Sequence, residues 1–381
     1  MDFSWSEEQI ALRRSIVDFA RRELAAGVIA DDRAEVFQRE KWRKCANVGI
    51  HGLAVPEEFG GTDADALSIM VALEALGYGC PDAGLIFAIN AQMWAVQAPL
   101  VRFGNEPQKQ RYLPALVRGD LIAAHGITEQ SSGSDAFALS ATAVKRGDDY
   151  LLNGAKLFVS NAPIADLFLI FASTSRARGF MGITAFLIER GAAGLTVGRP
   201  MEKMGLRTSP MAEVVLEDCV VPASCRLGRE GNGGSIFKHA MGWERTFILA
   251  SVVGAMQRQL DACVAYARTR QQFGQPIGKF QSISNKLVDM KLRLETARLL
   301  LYRAGWLRMQ GEESADSAAL AKLCISEAFV ASSLDAVQIH GGYGYATESG
   351  IERDLRDAVG SRIYSGTSEI QRELIARGLG L

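Results

Sequence analysis

Apolar positions along the chain change their spacing twice. Over residues 1–120 they recur at helical intervals. After Ser6-x-x-Gln9, which has the form of a capping box, Ile10, Ile16, Val17, Phe19, Ala20 and Leu24 recur in this way. Segments 64–78 and 84–102 are rich in Ala, Leu and Met with the same character, punctuated by Pro56, Gly60-Gly61 and Pro81. Residues 121–230 switch to short apolar or alternating runs. Tyr150-Leu151-Leu152, Asn153-Gly154 and Leu157-Phe158-Val159 read as strand, turn and strand, because Asn-Gly supplies the positive φ of a tight hairpin. Further runs at 166–173, 182–189, 194–197 and 212–221 predict a small antiparallel barrel or sandwich. From 231 to 381 long helices return, predicted at 239–270, 281–310 and 314–339, with a shorter one near 367–378. Long apolar helices with short connections predict an antiparallel bundle. The expected class is α+β, mostly α: a helical domain (1–120), a β-domain (121–230) and a helix bundle (231–381).

Composition narrows the partners. The 381 residues allow two or three domains, or one core of several layers. Forty-eight per cent hydrophobic and 22% charged residues suit a globular enzyme and argue against disorder. The net charge is −1, from 42 Lys and Arg against 43 Asp and Glu, with no basic cluster. Nucleic acid is therefore not an expected partner, since phosphate binding needs concentrated positive charge. The 6 cysteines and 4 histidines are scattered, without CxxC or ligand spacing, so neither a metal site nor a disulfide framework is expected. Buried thiols in a reducing compartment are the plain reading. The opening Met1-Asp2-Phe3-Ser4-Trp5-Ser6-Glu7-Glu8 carries acid where a targeting peptide would carry base, and it lacks an apolar core. No window reaches about 18 uninterrupted apolar residues, so no membrane span is expected. A soluble cytoplasmic protein is the expectation.

Several motifs invite chemistry. Gly341-Gly342-Tyr343-Gly344 follows a predicted helix and opens a loop, the reverse of the order a dinucleotide fingerprint requires. Ser131-Ser132-Gly133-Ser134 is not a nucleophile elbow, and no nearby His completes a triad. It reads as a small-residue loop whose backbone N–H groups suit an anion or a flavin edge. Glu244 stands out, because from His239 to Met256 it and Arg245 are the only acidic or basic residues. A helix apolar on every face is normally buried, and a carboxylate there must be paired, solvated by a cavity or shifted in pKa. A structural ion pair and a functional carboxylate both account for it on these grounds. Arg268-Thr269-Arg270-Gln271-Gln272-Phe273-Gly274 ends the same predicted helix with base, as the helix dipole favours, and Gly274 reads as its stop signal.

Taken together, these segments resemble the acyl-CoA dehydrogenase family of flavoproteins over essentially the whole chain. The resemblance is carried by Ile127-Thr128-Glu129-Gln130-Ser131-Ser132-Gly133-Ser134-Asp135, Gly154-Ala155-Lys156-Leu157-Phe158-Val159-Ser160-Asn161 and Arg270-Gln271-Gln272-Phe273-Gly274. Gln338-Ile339-His340-Gly341-Gly342-Tyr343-Gly344 and Tyr364-Ser365-Gly366-Thr367-Ser368-Glu369-Ile370-Gln371 complete it, in the family's order. The resemblance implies a middle β-barrel domain between an N-terminal helical domain and a C-terminal four-helix bundle. It further implies a homotetramer with FAD at a subunit interface. By the same resemblance His125, Ile127, Thr128, Gly133, Ser134, Phe158 and Ser160 would line the flavin. Arg270 and Phe273, with Gln338, Gly341 and Gly342 of a neighbouring subunit, would hold its nucleotide side, completed by Gln281, Thr367 and Glu369.

One position departs from the family pattern. Most members carry a glutamate before Gly366-Thr367, the base that removes the α-proton of an acyl thioester, and here Ser365 stands there. A serine hydroxyl does not do that work near neutral pH without its own base. A minority branch, including isovaleryl-CoA dehydrogenases, places the glutamate on the first long bundle helix before an arginine, the position of Glu244-Arg245. The resemblance thus implies Glu244 as base. It places the backbone N–H of Ser365 on the thioester oxygen, and Ser134, Trp243 and Arg245 around the substrate.

A narrower likeness is to enzymes that oxidise L-prolyl thioesters on carrier proteins. It rests on Met241-Gly242-Trp243-Glu244-Arg245, Asn161-Ala162-Pro163-Ile164-Ala165-Asp166, Ser365-Gly366-Thr367-Ser368 and Ile375-Ala376-Arg377. Its partners would be an acyl or aminoacyl thioester on a peptidyl or acyl carrier protein, or on CoA, and an electron-transfer flavoprotein or oxygen as acceptor. A short branched-chain acyl-CoA dehydrogenase using the same Glu244, and a flavin-binding scaffold without catalysis, are the alternatives.

Overall fold

The computed structural model describes residues 4–312 and 315–381. Residues 1–3 of the acidic opening, and residue 314 at the start of the predicted 314–339 helix, lie outside the described residues.

The first helices are α1 (Glu7–Glu23), α2 (Val28–Ala34), α3 (Arg39–Asn47), α4 (Ala66–Gly79), α5 (Ala83–Gln92), α6 (Ala98–Phe103) and α7 (Glu106–Val117). The capping box at the start of α1 is present: Gln9 N donates to Ser6 Oγ at 3.2 Å, and Ser6 N donates to Gln9 Oε1 at 3.1 Å. The expected 84–102 helix is α5 and α6 joined by a π turn, Met93–Gln97. Such turns widen a helix locally and are frequent at functional sites.

The strands are β1 (Ala123–Gly126), β2 (Thr142–Arg146), β3 (Asp149–Ser160), β4 (Leu167–Ser173), β5 (Ile183–Glu189), β6 (Leu195–Val197), β7 (Met211–Pro222) and β8 (Arg226–Leu227). The sheet is mixed rather than antiparallel, in the order β6-β7-β3-β2-β4-β5-β8, with β1 parallel to β4. Only the single pair Thr142↔Ser173 joins β2 to β4, so the sheet folds into two layers rather than a closed barrel. Tyr150, Leu152, Phe168, Ile170, Phe186 and Val214 fill the space between the layers. The outer face of β4 and β5 packs through Leu169, Phe171 and Leu187 on Leu113 and Leu116 of α7.

The strand-turn-strand expected around Asn153-Gly154 is instead one continuous strand, β3. Gly154 (φ +142°) sits at a bulge, where the register against β7 shifts between Leu152 and Gly154. A Cβ there would lie 2.6 Å from Ala141 Cβ, and Asn153 exchanges hydrogen bonds with Asp218. The hairpin turn falls earlier, at Gly147-Asp148, where Gly147 has φ +62°.

The C-terminal helices are α8 (Gly233–Phe247), α9 (Ala250–Thr269), α10 (Gln281–Met309), α11 (Ala315–His340), α12 (Gly342–Tyr345), α13 (Ile351–Ser361) and α14 (Ser368–Gly378). The expected 239–270 helix is therefore two. It breaks at Ile248-Leu249, where Leu249 has left helical geometry (ψ 3°) to become the cap of α9. Nor does Gly274 stop the helix. Thr269 is its last residue, and Phe273 (φ +50°) and Gly274 (φ +80°) form the tip of a small hairpin between β9 (Gln271–Gln272) and β10 (Gln275–Pro276). Ala83–Phe103 and Ala315–His340 are long and apolar enough to cross a membrane, yet 83% and 61% of those stretches is buried inside the fold.

One hydrophobic core runs through both helical regions, joining Leu73 and Leu76 of α4 to Val253 and Leu260 of α9 and Leu294 of α10. The backbones of α4 and α9 nearly touch. A Cβ on Gly77 would run into the carbonyl of Ser251, and one on Gly254 into the carbonyl of Glu74. Neither obstacle is a side chain that could rotate away. Gly77→Ala gains about 1 kcal/mol of helix propensity but incurs about 1–3 kcal/mol or more of overpacking. The melting temperature is expected to fall, and an unchanged or higher value would mean the helices can separate without cost.

Candidate functional site

A cavity of about 1380 Å³ lies between the sheet, α8 and the turn before α14. It exceeds the roughly 300–1,000 Å³ of a typical small-molecule site. Its floor is Glu244, buried on α8. Ser365 Oγ donates to Glu244 Oε1 at 2.6 Å. Burial pushes the Glu244 carboxyl above its ordinary value, against the opposing pull of the Ser365 hydrogen bond and the charges of Arg245 and Lys322.

The turn that presents Ser365 is strained and held from three sides. Ser365 (φ +59°) and Gly366 (φ +90°) are successive left-handed residues. Lys322 Nζ donates to Gly366 O at 2.8 Å, Gln371 Nε2 to the same oxygen at 2.8 Å, and Arg245 Nε to Ser365 O at 3.3 Å. Lys322 is fully buried in α11, and burial with the nearby Arg245 pushes it down to about 8. Nothing in the sequence reading singled out Lys322, because one lysine in an Ala-rich helix looks like a solvated position. Its burial follows only from the packing of α11.

The opposite wall comes from β1, β3 and the loop after β1. Lys156 Nζ, fully buried, pairs with Glu129 Oε1 at 2.6 Å and donates to Ile127 O at 3.3 Å. Burial opposes the charge on Glu129, but hydrogen bonds from Lys156 and Ser140 prevail and hold its carboxyl below the usual range. Leu157 N donates to Thr128 O at 2.8 Å, pinning the loop to β3. Phe158 follows in a left-handed conformation (φ +55°). Burial, with the charge of Lys156, pushes His125 down to about 4, leaving a neutral imidazole whose Nε2 is buried without a protein partner.

Of the expected site residues, His125, Ile127, Thr128, Gly133, Ser134, Phe158, Ser160, Glu244, Arg245, Ser365 and Thr367 all line this one cavity. Arg270, Phe273, Gly341 and Gly342 line a second cavity of about 740 Å³, with Gln281 and Gln338 on the elements that flank it. Glu369 lies outside both, at the exposed start of α14. Trp243, expected beside the substrate, does not line the cavity. Successive helical residues are about 100° apart, so with Met241, Gly242 and Arg245 facing the cavity, Trp243 faces away from it. It stacks on Trp94 (5.7 Å between ring centroids, 10° between planes) and carries the Arg308 guanidinium 3.9 Å from its ring centre.

The chain matches the profiles of the acyl-CoA dehydrogenase N-terminal domain over residues 6–120, middle domain over 124–219 and C-terminal domain over 231–380. The chain belongs to the acyl-CoA dehydrogenase family. Its fold is the family's, with N-terminal and C-terminal helical domains around a middle domain built on a mixed sheet. It is 44% identical over 382 residues to an L-prolyl-[peptidyl-carrier protein] dehydrogenase of Pseudomonas fluorescens, covering 100% of both chains. It is 45% identical over 381 residues to the enzyme of the same name from a Serratia species, covering 100% of this chain and 99% of that one. Among solved structures, the prolyl acyl carrier protein oxidase AnaB superposes with a TM-score of 0.98 at 50% identity, over 99% of this chain and 100% of that one. The structure of PigA with FAD and proline superposes with a TM-score of 0.98 at 44% identity, over the full length of both.

The raised Glu244 pKa links the site to stability. Glu244 binds a proton more readily folded than unfolded, so the folded state is favoured at low pH and loses that advantage as pH rises through the folded-state pKa. Glu244→Gln, which mimics the protonated acid, is expected to melt higher than the parent at pH 8. The gain should vanish below pH 4.5, the ordinary value. Melting curves at both pH values check this, and a variant that melts lower at pH 8 would contradict it.

Proposed function

We propose that this chain is an FAD-dependent dehydrogenase or oxidase of L-prolyl thioesters carried by a peptidyl carrier protein, with Glu244 as the base at the α-carbon. The observation that carries the base assignment is the burial of Glu244. Asp135 and Glu373 also line the cavity, but both are exposed, whereas burial raises the Glu244 carboxyl toward the pH at which it must take a proton. Ser365 occupies Oε1 and so orients the carboxylate, leaving Oε2 to take the proton. The full-length likeness to L-prolyl-[peptidyl-carrier protein] dehydrogenases supports the substrate class.

FAD would supply the hydride acceptor for the β-carbon. The residues fit such a group. The orphaned His125 Nε2 and the open space at Gly133, where a Cβ would meet nothing within 4 Å, lie on one wall of a cavity large enough for a cofactor and a thioester arm. His125, Ile127, Thr128, Gly133, Ser134, Phe158 and Ser160 would hold it, with Thr367 beside them. Arg270, Phe273, Gln281, Gln338, Gly341 and Gly342 would come from a neighbouring subunit of a homotetramer, and Glu369 would cap the nucleotide contacts. Phe273 is 93% exposed at its hairpin tip, which supports its serving another subunit. Val288, Leu292, Leu299 and Trp306, all exposed along α10, form a stripe of the kind that covers an oligomer interface. The acyl end would sit against Ala91, Ala95 and the Phe87–Tyr364 ring pair, whose centroids are 4.7 Å apart.

Anaerobic flavin absorbance tests the reading, with L-prolyl carrier protein and isovaleryl-CoA offered separately. Bleaching by the prolyl thioester is expected, and Glu244→Gln should slow it about 10²–10⁴-fold. Bleaching by isovaleryl-CoA alone would assign the chain to branched acyl-CoA oxidation, and no bleaching by either would leave a flavin scaffold. Substantial turnover in the Gln variant would overturn the base.

A further inference from the structure

The cavity that holds Glu244 runs along one face of α8, where Phe237, Lys238, Met241, Gly242, Glu244 and Arg245 line it. Lys238 is exposed and Glu244 is buried, about 9 Å further along the helix. Lys238 thus marks a rim and Glu244 the floor. Thr128, Phe158 and Ser160 lie on the wall assigned above to the flavin, and this rim is an end open to the thioester arm.

Over that rim folds the turn Arg176–Gly182. Phe180 wedges it in place. Its ring lies 4.9 Å from Phe137 and 4.5 Å from Lys238 Nζ, and it fills the space where a Cβ on Gly234 would stand. Arg176 donates to Ser140 O at 2.9 Å, tying the turn to the loop that carries Ser134. The anchored turn exposes Arg176, Arg178 and Met181, and no acid occurs between Thr174 and Gly182. Asp135, on the loop opposite, lines the cavity, and Glu230, engaged by the Tyr150 hydroxyl, precedes the Gly231 that abuts the Met181 carbonyl.

We propose that the Arg176–Gly182 turn is the docking surface for an acidic carrier-protein domain, whose thioester arm enters beside Lys238 and reaches Glu244. The proposal rests on the thioester reading above. A carrier domain holds its arm on its own surface, so that surface comes within an arm's length of the rim when the thioester reaches a floor about 9 Å down. The turn suits that contact, with an exposed methionine beside two arginines, an apolar knob with a charged surround. Cations without interleaved acid select an acidic partner and speed its encounter. L-Prolyl-pantetheine carries the thioester without a protein surface and without the phosphates of CoA, and so makes no use of Arg178 or Met181.

The test uses the intact flavoprotein and two donors, a peptidyl carrier domain loaded with L-proline on its phosphopantetheine, and L-prolyl-pantetheine. The Arg178→Glu protein is compared with the parent and with a charge-matched Arg14→Glu control on α1. The expected result is a fall on the order of tenfold or more in the second-order rate of flavin reduction by the carrier. The limiting rate at saturation and the rate with prolyl-pantetheine should be unchanged, as should the control. The carrier rate of the parent should also fall with added salt. Equal losses with both donors, no loss with the carrier, or the same loss in the control would each overturn the docking surface while leaving the substrate reading intact. A parent that neither donor reduces would overturn the substrate reading and the docking surface with it.

Discussion

Everything in the site depends on keeping one carboxylate inside the protein in a fixed orientation. Glu244 is held by a serine whose backbone sits at φ +59°, a conformation that costs a non-glycine residue about 1–3 kcal/mol. Left to itself the Ser365-Gly366 turn would relax and release the hydrogen bond. It does not, because Lys322, Gln371 and Arg245 all donate to its carbonyls. Bonds of this kind each contribute about 0.5–1.5 kcal/mol, more for charged donors, and together they offset the strain. The same two cations moderate the burial of Glu244 by charge. Lys322 and Arg245 therefore act twice, as struts for the turn and as counter-charges for the acid.

The facing wall is built on a second buried ion pair with a different task. Glu129 and Lys156 are almost wholly removed from water, and stripping one partner from such a pair typically costs about 3–5 kcal/mol. The pair tethers the loop carrying Thr128 to the strand carrying Phe158 and Ser160. Its charge also reaches into the cavity, since Lys156 helps to keep His125 neutral. A neutral imidazole with one buried, unpartnered nitrogen is suited to a hydrogen bond with a bound group. On both walls a buried charge fixes backbone, and the backbone presents the groups that face the ligand.

Much of this was legible in the sequence wherever local chemistry decides the outcome. The α1 cap needs only Ser6 and Gln9, and the isolation of Glu244 among apolar neighbours already marked it as a carboxylate in need of a reason. The failures share a cause, which is that tertiary contacts made the decision. Asn153-Gly154 carries the signature of a turn, yet its pairing with Asp218 and the close approach of Ala141 make it a bulge. The break at Ile248-Leu249 has no glycine or proline to announce it. Lys322 resembles any surface lysine until α11 is enclosed by its neighbours. Trp243 was grouped with Glu244 because the two are adjacent in sequence, but adjacency on a helix means roughly a quarter turn or more apart.

That last placement explains why α8 can hold a charged floor at all. One face of the helix looks into a cavity and is short of packing, so the other must fix its position. Trp243 and Phe247 do so, stacking on Trp94 in the widened π turn between α5 and α6, with Arg308 capping the indole. Aromatic pairs of this geometry add about 0.5–1.5 kcal/mol each beyond the area they bury. Immediately beyond, the chain breaks and re-forms as α9, whose backbone is locked against α4 at Gly77 and Gly254. The helix bearing Glu244 is thus clamped along its back and at its C-terminal end. Its cavity face is left unpacked, and the position of the helix that carries the carboxylate is set by Trp94, Phe247 and Arg308, none of which lines the cavity.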